Sequence, residues 1–414
     1  MMSQSPVNIS QPFKFNPYKP EFRDNLYQIY DYMRSHEPVH QGAFKEWYLT
    51  RYSDVKAVLQ EPRFQEIPIP EILSNKSRYL HNKGKNLDEL VNSAGEWLFF
   101  LAPPEHTRMR RLVSNAFKSQ NLQHKQFQVQ EIANKLVSKI KQQGEFDVIS
   151  DFAEQLPAQV TAQILGLPDE DSDLLLNWSK PLVHILDPFT SLNICSALNQ
   201  IVLEVAEYFR IQIAERRRHP QSDLISTLIA VEKEGQKLTE QEILSNCVML
   251  SAAGITTTAA AIGNSILALL RHPEQLKLLI HTPEILPTAI EELTRYDSPV
   301  QIVGRRPTEV VEIRGTTIQA GETIILCLGA ANRDSERFFQ PDQLDLLRKD
   351  NQHLAFATGL HLCIGAALAR IQLPIAISTF VQQIPNFRLA TEQLEYHNYL
   401  ILRHLKSLPL AFSD

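Results

Sequence analysis

Residues 243–270 run without a single Asp, Glu, Lys or Arg. As a helix, a stretch of this length is either a membrane span or the core helix of a large globular protein. Asn246, Thr256, Thr257, Thr258, Asn264 and Ser265 interrupt it, and no second run of this kind accompanies it, so it reads as a core helix. TEQE at residues 239–242 opens it with a capping box, in which the Thr239 and Glu242 side chains each accept from the other residue's backbone amide. From Thr239 to Arg271 such a helix spans about 48 Å at about 1.5 Å per residue. A helix so long and apolar needs a large core around it, and a chain of 414 residues can supply one.

Composition agrees with a helix-rich globular protein, since glycine numbers only 14 while aliphatic and aromatic residues are ample. The net charge of −6 weighs against nucleic-acid binding, which favours a basic excess. Residues 1–20 contain no apolar core of the kind a signal peptide or anchor needs; they are expected to be extended, and the protein soluble and cytoplasmic with no membrane anchor. Cys195, Cys247 and Cys327 are widely spaced in mostly apolar context, which gives no metal spacing and suggests a reducing compartment. No repeat, low-complexity tract or linker is legible, so one domain over 1–414 is expected, as a monomer.

Along the chain, Phe22, Leu26, Ile29, Tyr30 and Met33 recur at helical spacing and stop before Pro38. Val39 and residues 47–50 read as strands around a Gly42 turn, and Ser53 reads as the cap of a short helix through Leu59. From 61 to 97 no period persists, and Pro62, Pro68 and Pro70 predict a long loop. Pro103 and Pro104 open a helix on which His106 and Arg110, four apart, share a face. Helical patterns follow at 126–142, 151–165, 169–185 and 191–218, and again after Pro273, where Glu292 and Arg295 stand at i and i+3. Residues 301–313 alternate like a strand that Gly315 turns toward 317–319, and residues 399–402 read as a last strand.

The chemistry concentrates at residues 356–370, FATGLHLCIGAALAR. With 364–370 helical, Cys363 stands at a helix N-terminus, where unpaired amides and the dipole stabilise a thiolate. Gly359 suits a left-handed turn, Gly365 lets backbone approach a flat ligand, and His361 adds a cation or donor.

This stretch resembles the haem-binding loop of the cytochrome P-450 family, FGxGxHxCxGxxLAR, with Phe356, Gly359, His361, Cys363, Gly365, Leu368, Ala369 and Arg370 in place and Ala357 where glycine is usual. AAGITTT at 252–258 resembles the same family's oxygen-binding signature, AGxETT or AGxDTT, with Thr256 in place of the acid. The resemblance implies a mainly α fold with a small β-sheet region and a long central helix across the haem. It implies haem b (iron protoporphyrin IX) with Cys363 as axial thiolate, and His106, Arg110, Arg305 and His361 near the propionates. Ala253 and Gly254 then leave room beside the iron, and Thr257 places a hydroxyl near the oxygen. Ala252, Ile302, Val303, Leu400 and Ile401 are implied to line the substrate pocket, with 61–97 covering it. Glu292, Arg295 and Arg337 are expected to form a structural triad, and Pro374 to kink the helix after the cysteine.

The expected activity is insertion of one atom of dioxygen into an apolar small molecule, by hydroxylation or epoxidation, with electrons from a ferredoxin and its ferredoxin reductase. Arg108, Arg111, Lys118 and Lys125 offer an acidic ferredoxin a basic cluster. Because Thr256 replaces the acid that helps to relay protons, a peroxide-using or non-oxygenating enzyme (rearrangement or coupling) is the alternative. A haem-based gas sensor or binding protein is a third reading, one that favours an attached output domain.

Overall fold

The computed structural model describes residues 13–119, 122–142, 145–233, 235–384 and 386–412, so most of the segment expected to be extended, 1–20, lies outside them. The architecture is mainly helical with small sheets, and the chain divides into two compact units. One comprises Met1–Ile67, Asn264–Cys363 and Glu395–Arg403; the other comprises Pro68–Gly263, Ile364–Leu394 and His404–Asp414.

The first unit is built on a five-stranded sheet in the order Val39–Gln41, Trp47–Leu49, Ile324–Cys327, Ile302–Pro307, Phe64–Gln65. β-Branched and aliphatic residues of the central strands join Val55, Leu59, Phe338 and Leu354 in one buried cluster. The helix Tyr52–Gln60 is capped from a distance, because the Asp334 carboxylate accepts from the Tyr52 amide at 2.8 Å, and the residue before the helix is Arg51. Ser53 therefore lies inside the helix instead of capping it. The expected strand at 399–402 reduces to a single bridge between Val300 and Leu402.

The second unit carries a three-stranded sheet of Arg388–Leu389, Pro409–Ala411 and Glu145–Asp147 and a two-stranded one of Glu232–Lys233 and Gln236–Lys237, and helices provide most of its framework. Residues 61–97 are not the loop that their prolines suggested: helices Ile69–His81 and Asp88–Gly95 occupy much of the stretch. Pro70 sits in the first helical turn, where a missing N–H costs nothing, and Ile69, Leu73, Ser77 and Leu80 form the buried stripe. Pro374 lies inside Ala366–Gln383, which continues past it.

The central helix, Glu240–Arg271, starts as its capping box requires. The Thr239 amide donates to the Glu242 carboxylate at 2.7 Å and the Glu242 amide to the Thr239 hydroxyl at 3.2 Å. It is the one helix among the described residues long and apolar enough to cross a membrane, and 78% of its most apolar window is buried, as in a core helix.

Candidate functional site

The cysteine loop is shaped by backbone conformation. Gly359 has φ +73°, and a Cβ there would stand 2.5 Å from the Leu59 carbonyl oxygen, so the position excludes any side chain. Ala357 is also left-handed, at φ +56°. The Cys363 amide donates to the Phe356 carbonyl at 2.9 Å and closes the loop. Helix Ala366–Gln383 begins three residues after the cysteine, with Gly365 as its N-cap, slightly later than the sequence suggested. The Cys363 thiol is exposed, whereas Cys195, Cys247 and Cys327 are buried. Burial pushes the Cys247 thiol up to about 12 and raises those of Cys195 and Cys327, which makes all three inert. Leu360 and Leu362 flank the exposed thiol and are each 44% exposed.

Beside this loop in the same unit, strand Ile302–Pro307 carries Arg305, whose side chain is nearly buried. The adjoining strand pairs Phe64 with Pro307 and Gln65 with Arg306, and this register, continued by one residue, sets Glu66 opposite Arg305. The Glu66 carboxylate lies 3.3 Å from the Arg305 guanidinium and 2.9 Å from His361 Nε2. Burial lowers the Arg305 pKa, and Glu66 works against that shift. Burial also raises the Glu66 carboxyl, but the His361 contact and the Arg305 charge outweigh it and hold the group below the usual carboxylate range. Sequence reasoning missed Glu66, because its partners are remote in the chain.

The second unit supplies a different surface. From Glu242 to Leu269, Leu250, Ala253, Gly254 and Thr257 are half-buried, while every other residue is buried. Their spacing of i, i+3, i+4 and i+7 puts them on one helix face. The Thr257 hydroxyl donates to the Ala253 carbonyl at 2.6 Å, as its position in the helix allows. Thr256 points elsewhere: it is buried, and its hydroxyl donates to that of Ser179 at 3.2 Å, which in turn donates to the Leu176 carbonyl at 2.9 Å. His106 is fully buried and Arg110 half-buried on the helix Glu105–Ser119. Two of the four expected docking cations are engaged there, Arg108 by Glu105 and Glu242 and Arg111 by Gln236.

Three expectations need correcting. Ala252 is buried and stands about 200° round the helix from Leu250, so it leaves the open face to Leu250, a residue the motif does not contain. Ile302 and Val303 are neighbours on one strand and face opposite sides, so they cannot both face one pocket. Val303 shares the side of Arg305, whereas Ile302 lines a narrow cleft with Leu400, Phe15 and Tyr30; Ile401 is half-buried nearby in the chain, and its carbonyl accepts from the Gln301 amide. Arg337 does not join Glu292 and Arg295. Its guanidinium stacks near Tyr52 and Phe338 and pairs with Asp350 at 2.7 Å and 2.8 Å, and Arg348 takes the third place, 3.0 Å from Glu292.

Comparison with known proteins places these features in one family. The family model for Cytochrome P450 matches residues 172–282 and 280–398. The chain is 37% identical over 396 residues to the biotin biosynthesis cytochrome P450 of Bacillus subtilis (strain 168), covering 95% of this chain and 97% of that one. It is 34% identical to the mycinamicin IV hydroxylase/epoxidase of Micromonospora griseorubida, covering 88% and 89%. Among solved structures, P450BioI in complex with an acyl carrier protein ligated to hexadec-9Z-enoic acid superposes with a TM-score of 0.87 at 37% identity, over 95% of this chain and 99% of that one. With a family model spanning more than half its length and relatives of this identity nearly end to end, the chain belongs to the cytochrome P450 family, as a bacterial-type, haem b monooxygenase.

Proposed function

We propose that Cys363 would ligate the iron of haem b as a thiolate, that Arg305 and His361 would hold a haem propionate, and that the enzyme hydroxylates or epoxidises an apolar substrate with electrons from a ferredoxin and its reductase. The observation that carries this is the cysteine loop: an exposed thiol flanked by two exposed leucines, next to a guanidinium and an imidazole that converge on a carboxylate. Those residues fit the group, since haem has an apolar macrocycle, a metal that takes a thiolate and carboxylate tails. Phe356 and Gly365 shape the loop, and the family role extends to His106 and Arg110 as further propionate partners. The reading includes a cytoplasmic monomer.

Haem held by a thiolate supplies an iron whose electron density favours O–O cleavage. The chain's part is to place protons and substrate. Thr257, beside the small Ala253 and Gly254, keeps its hydroxyl proton on the Ala253 carbonyl, which leaves the oxygen free to accept and requires it to rotate before it donates. Thr256 offers no substitute for the missing acid, because its hydroxyl chain through Ser179 ends on a carbonyl oxygen. Proton delivery therefore rests on Thr257 and water. A substrate contact is assigned to Leu250, on the open face of the central helix; the P450BioI complex makes a carrier-bound acyl chain the first class to test.

The same Thr256 geometry favours a second reading, a peroxide-using enzyme, in which both protons arrive with the oxidant. Turnover with ferredoxin, its reductase and dioxygen is compared with turnover on peroxide alone. Ferredoxin-driven product formation that far exceeds the peroxide rate is the expected result, and the reverse ranking replaces the first reading with the second.

A further inference from the structure

Glu66 presents a carboxylate to the two side chains, Arg305 and His361, assigned above to a haem propionate. It is not an incidental surface contact: the side chains of Arg305, Glu66 and His361 are 7%, 12% and 13% exposed. Its position is built into the sheet. Gly304 lacks a side chain where Ile67 packs, and the chain leaving Phe64–Gln65 can therefore stay close against the neighbouring strand, with Glu66 opposite Arg305. Arg305 also donates to the Gly304 carbonyl at 2.7 Å, which leaves the rest of its fork to carboxylates. A nearly buried guanidinium needs a counter-charge, and Glu66 supplies one from within the chain. A propionate is the same chemical group, and two carboxylates on one guanidinium and its neighbouring imidazole repel each other.

We propose that Glu66 is a built-in competitor of the haem propionate: it holds Arg305 and His361 together in haem-free protein and loosens their grip on the propionate once haem is bound. The inference rests on the assignment of Arg305 and His361 as propionate partners. Its consequence is that haem is retained less tightly than Arg305 and His361 alone would hold it.

The test follows haem loss from the holoenzyme to an excess of apomyoglobin, for protein loaded with protohaem and with its dimethyl ester, whose tails carry no charge. Glu66→Gln is expected to slow protohaem loss about ten-fold, the scale of a modest coupling between sites, and to leave loss of the ester unchanged. Arg305→Gln is expected to speed protohaem loss. Unchanged or faster protohaem loss from E66Q overturns the proposal, and so does an equal gain with the ester, which marks a packing effect. If R305Q leaves protohaem loss unchanged, the propionate assignment falls and the proposal with it; if R305Q speeds loss while E66Q gives no gain, only the proposal falls. Should E66Q fail to fold, Glu66→Asp keeps the charge but draws it back by one methylene. It is expected to give a smaller slowing of the same sign, and faster loss overturns the proposal.

Discussion

Ala357 has a left-handed backbone, φ +56°, in the loop that carries the cysteine. An L side chain there crowds the following carbonyl, at a cost of about 1–2 kcal/mol, and glycine does not. The departure from the family's loop pattern is thus a strained residue at a position whose conformation the fold dictates. Replacement by glycine removes the strain but adds freedom to the unfolded chain, which returns about 0.4–1 kcal/mol. Ala357→Gly is therefore expected to stabilise the protein by up to about 1.6 kcal/mol, read as a rise in the denaturant midpoint without a change in slope. A lower midpoint would show that the Ala357 methyl, which packs against the buried cluster, matters more than the strain.

At the scale of elements, what was legible in the sequence is what acts locally. The capping box at Thr239 and the Glu292–Arg295 pair each sit within about one helix turn, and the apolar run behind the capping box is continuous in the chain, so spacing alone locates them. The hidden parts depend on distance or direction. Arg348 replaces Arg337 beside Glu292 because the segment after Phe338 folds back on the helix Leu286–Tyr296, which no local spacing reports. Glu66 meets Arg305 through strand register, and Leu250 supplants Ala252 because a motif fixes residues without fixing which helix face is open. Glu292 also shows what such distant contacts do. It is fully buried and accepts from Arg295 twice, at 2.8 Å and 2.9 Å, from Arg348, Asn351 and the Asp345 amide, each at 3.0 Å. Glu292→Gln removes one charge from beneath two guanidinium groups and is expected to cost about 3–5 kcal/mol, measured by chemical denaturation. A cost below 1 kcal/mol would mean that solvent reaches the cluster.

On the scale of the whole molecule, two compact units coexist with a sequence that shows no linker, and the reason lies in how the chain is threaded. It passes between units after Ile67, Gly263, Cys363, Leu394 and Arg403, and the second of these crossings falls inside the helix Glu240–Arg271. Neither unit is a continuous piece of chain, so neither can lose its structure without disturbing segments that continue into the other. Residues 1–414 are accordingly expected to unfold as one cooperative domain. The tryptophans allow each unit to be followed separately, since Trp47 belongs to the first, and Trp97 and Trp178 to the second. In a Trp47→Phe variant fluorescence reports the second unit, and in a Trp97→Phe, Trp178→Phe variant it reports the first. Each variant's fluorescence midpoint is expected to coincide with its own far-ultraviolet circular dichroism midpoint; fluorescence transitions displaced in opposite directions from that common reference would show that the units unfold independently.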